Sequence, residues 1–97
     1  MNPEAFGMLG ILNRAGLLLF GPGLEKGLHK CHLLLLASDA SENTSRKLGG
    51  TSVKTFLVPS KEELGKPLGY GELSAVGVTS AKAAKALLGK LQKGERT

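Results

Sequence analysis

Residues 33–37 read Leu-Leu-Leu-Leu-Ala, and no other stretch constrains the fold as strongly. Five consecutive apolar residues leave no alternation that would turn one face to water. Their length and flanks favour a strand over a helix. A strand without a polar face needs cover on both sides, which places it inside a sheet sandwiched by other elements. Leu17–Phe20 is a second, shorter apolar run of the same kind. Neither run approaches the roughly 20 residues that a membrane span requires.

The stretches between these runs read as helices. Pro3 suits a first helical position after an Asn2 cap, and Phe6, Leu9, Ile11, Leu12 and Ala15 follow a helical stripe that Gly16 can end. Gly21-Pro22-Gly23 is a sharp turn with Pro22 opening a short helix to about Lys30. Asp39-Ala40-Ser41-Glu42 has the cap and acid of a capping-box variant, so a helix is expected from there to Leu48, stopped by Gly49-Gly50. Val53–Val58 has strand propensity, and Ser60-Lys61-Glu62-Glu63 is a full capping box for a short helix ending near Leu68-Gly69. Leu73–Val78 is the last strand. Thr79 or Ser80 caps a final helix with Ala81, Ala84, Leu87, Leu88 and Leu91 on its apolar face, and Lys93–Thr97 reads as a frayed tail. Strict alternation of helices and buried strands implies a sheet with helices on both faces.

Composition narrows the class. Fourteen of the 97 residues are glycine, roughly twice ordinary usage. They are neither tandem nor pooled in a linker, and most stand where one element stops and another starts. One cysteine cannot build a disulfide framework. No basic segment precedes an apolar one at Met1-Asn2-Pro3-Glu4, so no signal peptide is expected and the reading is cytoplasmic. The net charge of +5 favours anionic partners.

Three constellations hint at chemistry. Gly21-Pro22-Gly23-Leu24-Glu25-Lys26-Gly27 follows a strand and opens a helix, and Asp39 ends the next strand. That mimics a dinucleotide fingerprint, but the spacing is G-x-G-x-x-x-G and Pro22 removes a donor the phosphates would use. Glycines that merely permit the turn, or a helix start presenting N–H groups to an RNA phosphate, account for it as well. His29-Lys30-Cys31-His32 gathers three metal-ligand types without the second pair a zinc site needs. Its plainer reading is a buried or half-buried cysteine between two surface histidines. Asp39, Glu42, Glu62 and Glu63 all fall at expected helix starts, where capping explains them. No catalytic residue, metal ligand or cofactor is therefore assigned. Lys82, Lys85, Lys90 and Lys93 read as the solvated face of the last helix. Arg14, Lys26, Lys30, Arg46, Lys47, Lys61 and Lys66 lie at turns and helix surfaces, where some can converge on one sheet edge as a phosphate-binding patch. With only Phe6, Phe20, Phe56 and Tyr70, aromatic interleaving of the single-strand stacking kind is absent.

Several segments are familiar together. Leu9-Gly10-Ile11-Leu12-Asn13-Arg14-Ala15-Gly16, Leu33 through Ala37-Ser38-Asp39-Ala40-Ser41-Glu42-Asn43-Thr44, Ser60 through Leu64-Gly65-Lys66-Pro67-Leu68-Gly69, and Val76–Val78 with the Ala-rich last helix occur in order along nearly the whole chain. They resemble the bacterial members of the kink-turn-binding ribosomal protein family L seven Ae, which has the L thirty e fold. The resemblance implies an α/β fold: a three-layer αβα sandwich with a small mixed four-stranded sheet, helices on both faces, and one domain over residues 1–97. It also implies a non-catalytic, ribosome-associated protein whose partner is structured RNA, with neither DNA nor membrane expected.

In that family the start of the second helix reads the kink through a G-x-N-E-like motif and a downstream lysine, and the loop before the last strand closes over the RNA. Gly21 matches the glycine of the motif, Gly23 and Leu24 fall near its Asn and Glu, and Lys26 stands one residue early. The implied RNA-binding residues are Gly21, Pro22, Gly23, Lys26, Lys30, Lys61 and Lys66, with Glu72, Leu73 and Ser74 in the closing loop. Base readout needs particular donors and acceptors, so loss of the Asn implies weaker or altered specificity. Two other readings follow from the same residues. One is a relative that lost kink recognition and became a protein-interaction module; the other is a nucleotide-binding domain built on Gly21, Gly23 and Gly27.

Overall fold

The computed structural model describes residues 3–49 and 52–95. Helix α1 (Pro3–Arg14) begins on the proline, whose fixed φ suits the first turn. The Asn2 cap lies outside the described residues. Ala5, Leu9 and Leu12 form the buried stripe of α1, while Ile11 and Ala15 face solvent. The stripe is thus narrower than the apolar pattern suggests. Gly16 takes a left-handed φ of 73°, and the Leu17 N–H donates to the Leu12 carbonyl at 3.0 Å. That closure turns the chain into β1 (Leu18–Leu19).

The remaining elements are α2 (Pro22–Gly27), β2 (Leu33–Ala37), α3 (Glu42–Gly49), β3 (Thr55–Val58), α4 (Lys61–Gly65), β4 (Ala75–Val78) and α5 (Ala81–Glu95). Helix α2 continues into a 3-10 turn at Leu28–Lys30, and α4 into another at Lys66–Leu68. Helix α5 runs through Lys93 to Glu95, where a frayed tail is expected from sequence. Arg96 and Thr97 of that tail lie outside the described residues. None of the described helices is long and apolar enough to cross a membrane.

The strands form one four-stranded sheet in the order β1-β4-β2-β3. Strands β1 and β2 run antiparallel to β4, and β3 runs parallel to β2. All five residues of β2 are buried, because its side chains alternate between two covered faces. Leu33, Leu35 and Ala37 pack into a core with α1, α4 and α5. Leu34 and Leu36 pack on the other side with Leu24 of α2 and Leu48 of α3. The result is the expected αβα sandwich with a mixed sheet. Each fully buried leucine contributes about 1.5–3 kcal/mol of apolar burial.

Two glycines let layers approach. A Cβ on Gly77 in β4 would overlap Cys31 Sγ and come within 2.6 Å of Leu24 Cδ1. A Cβ on Gly27 would lie 2.5 Å from Leu19 Cδ1, so this third glycine of the loop motif serves helix–strand packing.

The caps differ from the sequence reading at one point. Ser41, not Asp39, caps α3, its Oγ accepting from the Thr44 N–H at 3.2 Å. Asp39 accepts instead from the Lys61 N–H at 2.8 Å, tying the start of α4 to the end of β2. Ser60 caps α4 through the Glu63 N–H at 3.1 Å. Ser80 caps α5 through the Ala83 N–H at 3.2 Å, while the Thr79 hydroxyl donates to the Leu17 carbonyl. On α5, Ala83 is buried and Ala81 is exposed, so the apolar face is displaced from the expected one.

Candidate functional site

Because β1, β2 and β3 point the same way, α2, α3 and α4 all start at one end of the sheet. We call this the carboxyl pole. Strand β4 enters the sheet there, preceded by the Glu72–Ser74 loop. The Ala37 N–H donates to the Ser74 carbonyl at 2.9 Å, which fixes the loop to the end of β2.

A cleft opens at this pole. Its floor and one wall come from Gly21, Pro22, Leu24 and Glu25 of the α2 start; Thr44 and Leu48 of α3 and Glu72–Ala75 of the loop complete it. Gly21 has φ 64° and ψ −145°, a combination only glycine adopts without strain. Its carbonyl accepts from the N–H groups of Leu24 at 3.1 Å and Glu25 at 3.4 Å.

The facing loop is anchored on several sides. The Leu73 N–H donates to the Lys61 carbonyl, and the Tyr70 N–H to the Gly65 carbonyl, each at 3.0 Å. Gly65 touches the loop directly: a Cβ there would sit 3.0 Å from the Tyr70 oxygen and from the Glu72 carbonyl carbon. Tyr70 packs edge-on against Phe20, with ring centroids 5.2 Å apart, and stays 48% exposed. Two of the four aromatics thus meet beside the cleft although they are far apart in sequence.

The carboxylates of the cleft are matched. Glu25 pairs with Lys47 at 3.5 Å and Glu72 with Lys61 at 3.7 Å. Such exposed pairs contribute little to stability, about 0–1 kcal/mol each. Their effect is to leave the cleft nearly neutral.

Of the residues singled out from sequence, Gly21, Pro22, Glu72, Leu73 and Ser74 line the same cleft. Lys61 stands beside it through Glu72. Gly23 is exposed on the first turn of α2, and Lys26 is exposed further along that helix. The structure does not bring Lys30 to the cleft. Lys30 ends the 3-10 turn after α2, nine residues beyond Gly21 and about 13 Å away at a helical rise of roughly 1.5 Å per residue. Lys66 is exposed on the 3-10 turn that packs against α1, since the Pro67 carbonyl lies 3.7 Å from where a Gly10 Cβ would be. Glu25, Thr44, Leu48 and the Phe20–Tyr70 pair are not among the contacts expected from sequence, although Glu25 lies within the glycine motif and Thr44 within a matched segment.

The His29–His32 segment sits elsewhere. Cys31 is buried between α2 and the sheet, its thiol donating to the Gly27 carbonyl at 3.6 Å, while His29 and His32 are exposed. Among the described residues no three His, Cys, Asp or Glu side chains converge on a metal position. Burial pushes the Cys31 thiol above its ordinary value. Folding therefore favours the neutral thiol, and that contribution is kept below the thiol's ordinary range and lost as pH rises through it. The native protein is expected to react with a thiol reagent at least tenfold slower than the urea-unfolded chain at neutral pH. Equal rates in a stopped-flow labelling assay would contradict this burial.

No protein-family model matches the chain, and no curated protein matches it in sequence. Solved structures do match. A Bacillus halodurans protein of unknown function superposes with a TM-score of 0.78 at 24% identity, covering 94% of this chain and 99% of that one. A 15.5 kD RNA-binding protein of Giardia lamblia superposes with a TM-score of 0.68 at 14% identity, covering 96% and 92%. All three share one fold. The likeness spans nearly the whole chain in both cases.

Proposed function

We propose that the chain is a non-catalytic RNA-binding protein that grips structured, kink-turn-like RNA in the carboxyl-pole cleft. The observation that carries the reading is the meeting of two distant segments. The Gly21–Pro22 turn and the Glu72–Ser74 loop face each other across one cleft, in a fold shared with the Giardia RNA-binding protein. These are the two segments that the resemblance to the L seven Ae family marks as RNA contacts, and the family suggests a ribosomal setting.

Leu24 is buried and Gly23 has no side chain, so neither offers the donors and acceptors that read a base edge. Recognition then rests on shape and backbone. The test is binding of a kink-turn RNA and a straight duplex over a salt series. The kink-turn RNA is expected to bind at least tenfold tighter at every salt concentration. Lys26→Ala is expected to weaken binding and flatten the salt slope by about one unit, as loss of one phosphate contact would. Equal affinity for the two RNAs would overturn the kink-specific reading. Absence of binding to either at low salt would overturn RNA binding altogether.

A further inference from the structure

The charges of the chain are sorted along the strand direction. Glu4, Asp39, Glu42, Glu62, Glu63 and Glu72 all lie in helix first turns or loops at the carboxyl pole. The cause is the topology. Four of the helices begin at that pole, and the first turn of each carries a carboxylate that the helix dipole favours. The opposite end of the sheet, the amino pole, collects cations instead. Arg14 ends α1, Lys30 ends the turn after α2, Lys54 precedes β3, and Lys82 and Lys85 lie in the opening turns of α5. All five are exposed, and none is ion-paired with a described residue.

A shallow groove runs through this pole. Lys54 and His32 stand on its sheet side and Lys85 on its α5 side; no carboxylate lines this groove, and Glu25, which lines the adjoining pocket with His32 and Lys54, is paired with Lys47. The floor is closed: Leu33 is 1% exposed, and Leu88 is the only large apolar side chain in the lining that is partly open. A protein interface draws its affinity from a large desolvated apolar or aromatic centre; the apolar lining here, Leu33, Ala81, Ala84 and Leu88, is mostly small or closed side chains and exposes too little area for one. Unpaired cations spread over a pole without apolar anchors suit a polyanionic backbone.

We infer that the amino pole is a second RNA contact surface, taking backbone phosphates in the groove between Lys54 and Lys85. The inference rests on the RNA-binding reading of the cleft and adds what the cleft does not supply, a net attraction for phosphate. Strand β2 separates the two surfaces; its five residues, at roughly 3.3 Å each, give about 16 Å. One folded RNA spans that distance.

The deciding experiment is fluorescence anisotropy of the full chain on a labelled kink-turn RNA between 50 and 200 mM salt, with wild type, K54E/K85E and K54R/K85R. Both positions are exposed, so circular dichroism should be unchanged in the variants. Loss of two phosphate contacts flattens the log–log salt slope by about 1.8 and weakens binding at 50 mM salt at least tenfold. The arginine pair is expected to bind like wild type, since the charges are kept. If wild type binds and K54E/K85E matches its affinity and slope within twofold, the second surface is refuted and the cleft reading stands. If wild type binds no structured RNA at 50 mM salt, both fall together.

Discussion

Leu35→Ala is expected to lower the free energy of unfolding by about 2–5 kcal/mol. Leu35 is 0% exposed and lies at the middle of β2, paired with Phe56 on one side and Val76 on the other. Its side chain belongs to the core shared with α1, α4 and α5. Those three helices and both neighbouring strands would have to move inward together to refill the space, so most of the cavity should persist. For a domain of this length each kcal/mol lowers Tm by roughly 4–8 °C, so a fall of about 10–30 °C is expected in a thermal melt. Leu57→Ala makes the contrast, because Leu57 is 60% exposed and its loss should stay within about 0.5 kcal/mol. A loss below about 1 kcal/mol for Leu35→Ala would mean that the two-faced burial of β2 is not the centre of stability.

Gly65→Val should damage the cleft more than its position outside the lining suggests. Gly65 has φ −77°, so a side chain brings no backbone strain. The difficulty is space, since the new Cβ would meet the Tyr70 oxygen at 3.0 Å and the Glu72 backbone at 3.0–3.1 Å. Those atoms are main chain and cannot rotate away. The segment must lift off α4, stretching the Tyr70–Gly65 and Leu73–Lys61 hydrogen bonds. Overpacking of this kind costs about 1–3 kcal/mol. Displacement of the Glu72–Ser74 loop should also weaken RNA binding, by about tenfold if one good contact is lost. Gly7→Ala, on α1 and outside the site, is the control, because a Cβ there meets nothing within 4 Å. Urea melts and anisotropy on the same samples separate the two effects. Unchanged binding by Gly65→Val would show that the loop does not touch the RNA.

Much of the architecture is legible in the chain because it is written in local signals. The unbroken Leu33–Ala37 run requires two covered faces, and it has them. Pro22, Ser60 and the glycines at 16 and 69 mark element boundaries within a residue or two. Strand order is another matter. The insertion of β4 between β1 and β2 depends on pairings that no nearby residue encodes. Asp39 illustrates the same limit. It reads as a local cap, but its carboxylate serves the helix that starts 22 residues later.

The site divides along the same line. The Gly21 turn and the Glu72–Ser74 loop are visible as punctuation and as matched segments. Thr44 and Leu48 become walls only when α3 packs on the sheet. Phe20 and Tyr70 are isolated aromatics until β1 and the loop meet. Lys30 and Lys66 look equivalent to Lys61 as charges, yet the helical rise carries Lys30 away and Lys66 stands on the turn that packs against α1. Charge sorting is invisible to composition, since a net +5 says nothing of poles.

The pairing of β1 has a consequence for biosynthesis. Its sole sheet neighbour is β4, through Leu18 opposite Val78 and Leu19 opposite Gly77. About sixty residues must therefore leave the ribosome after β1 before it can find a partner. Closing so long a loop is entropically slow, and contacts of this separation form late. Strands β2 and β3, joined by α3, can pair while the chain is still being made. The segment of α1 and β1, with the Gly21 turn behind it, should settle after β2 and β3 have paired, and the cleft cannot exist until the Glu72–Ser74 loop and β4 have been made.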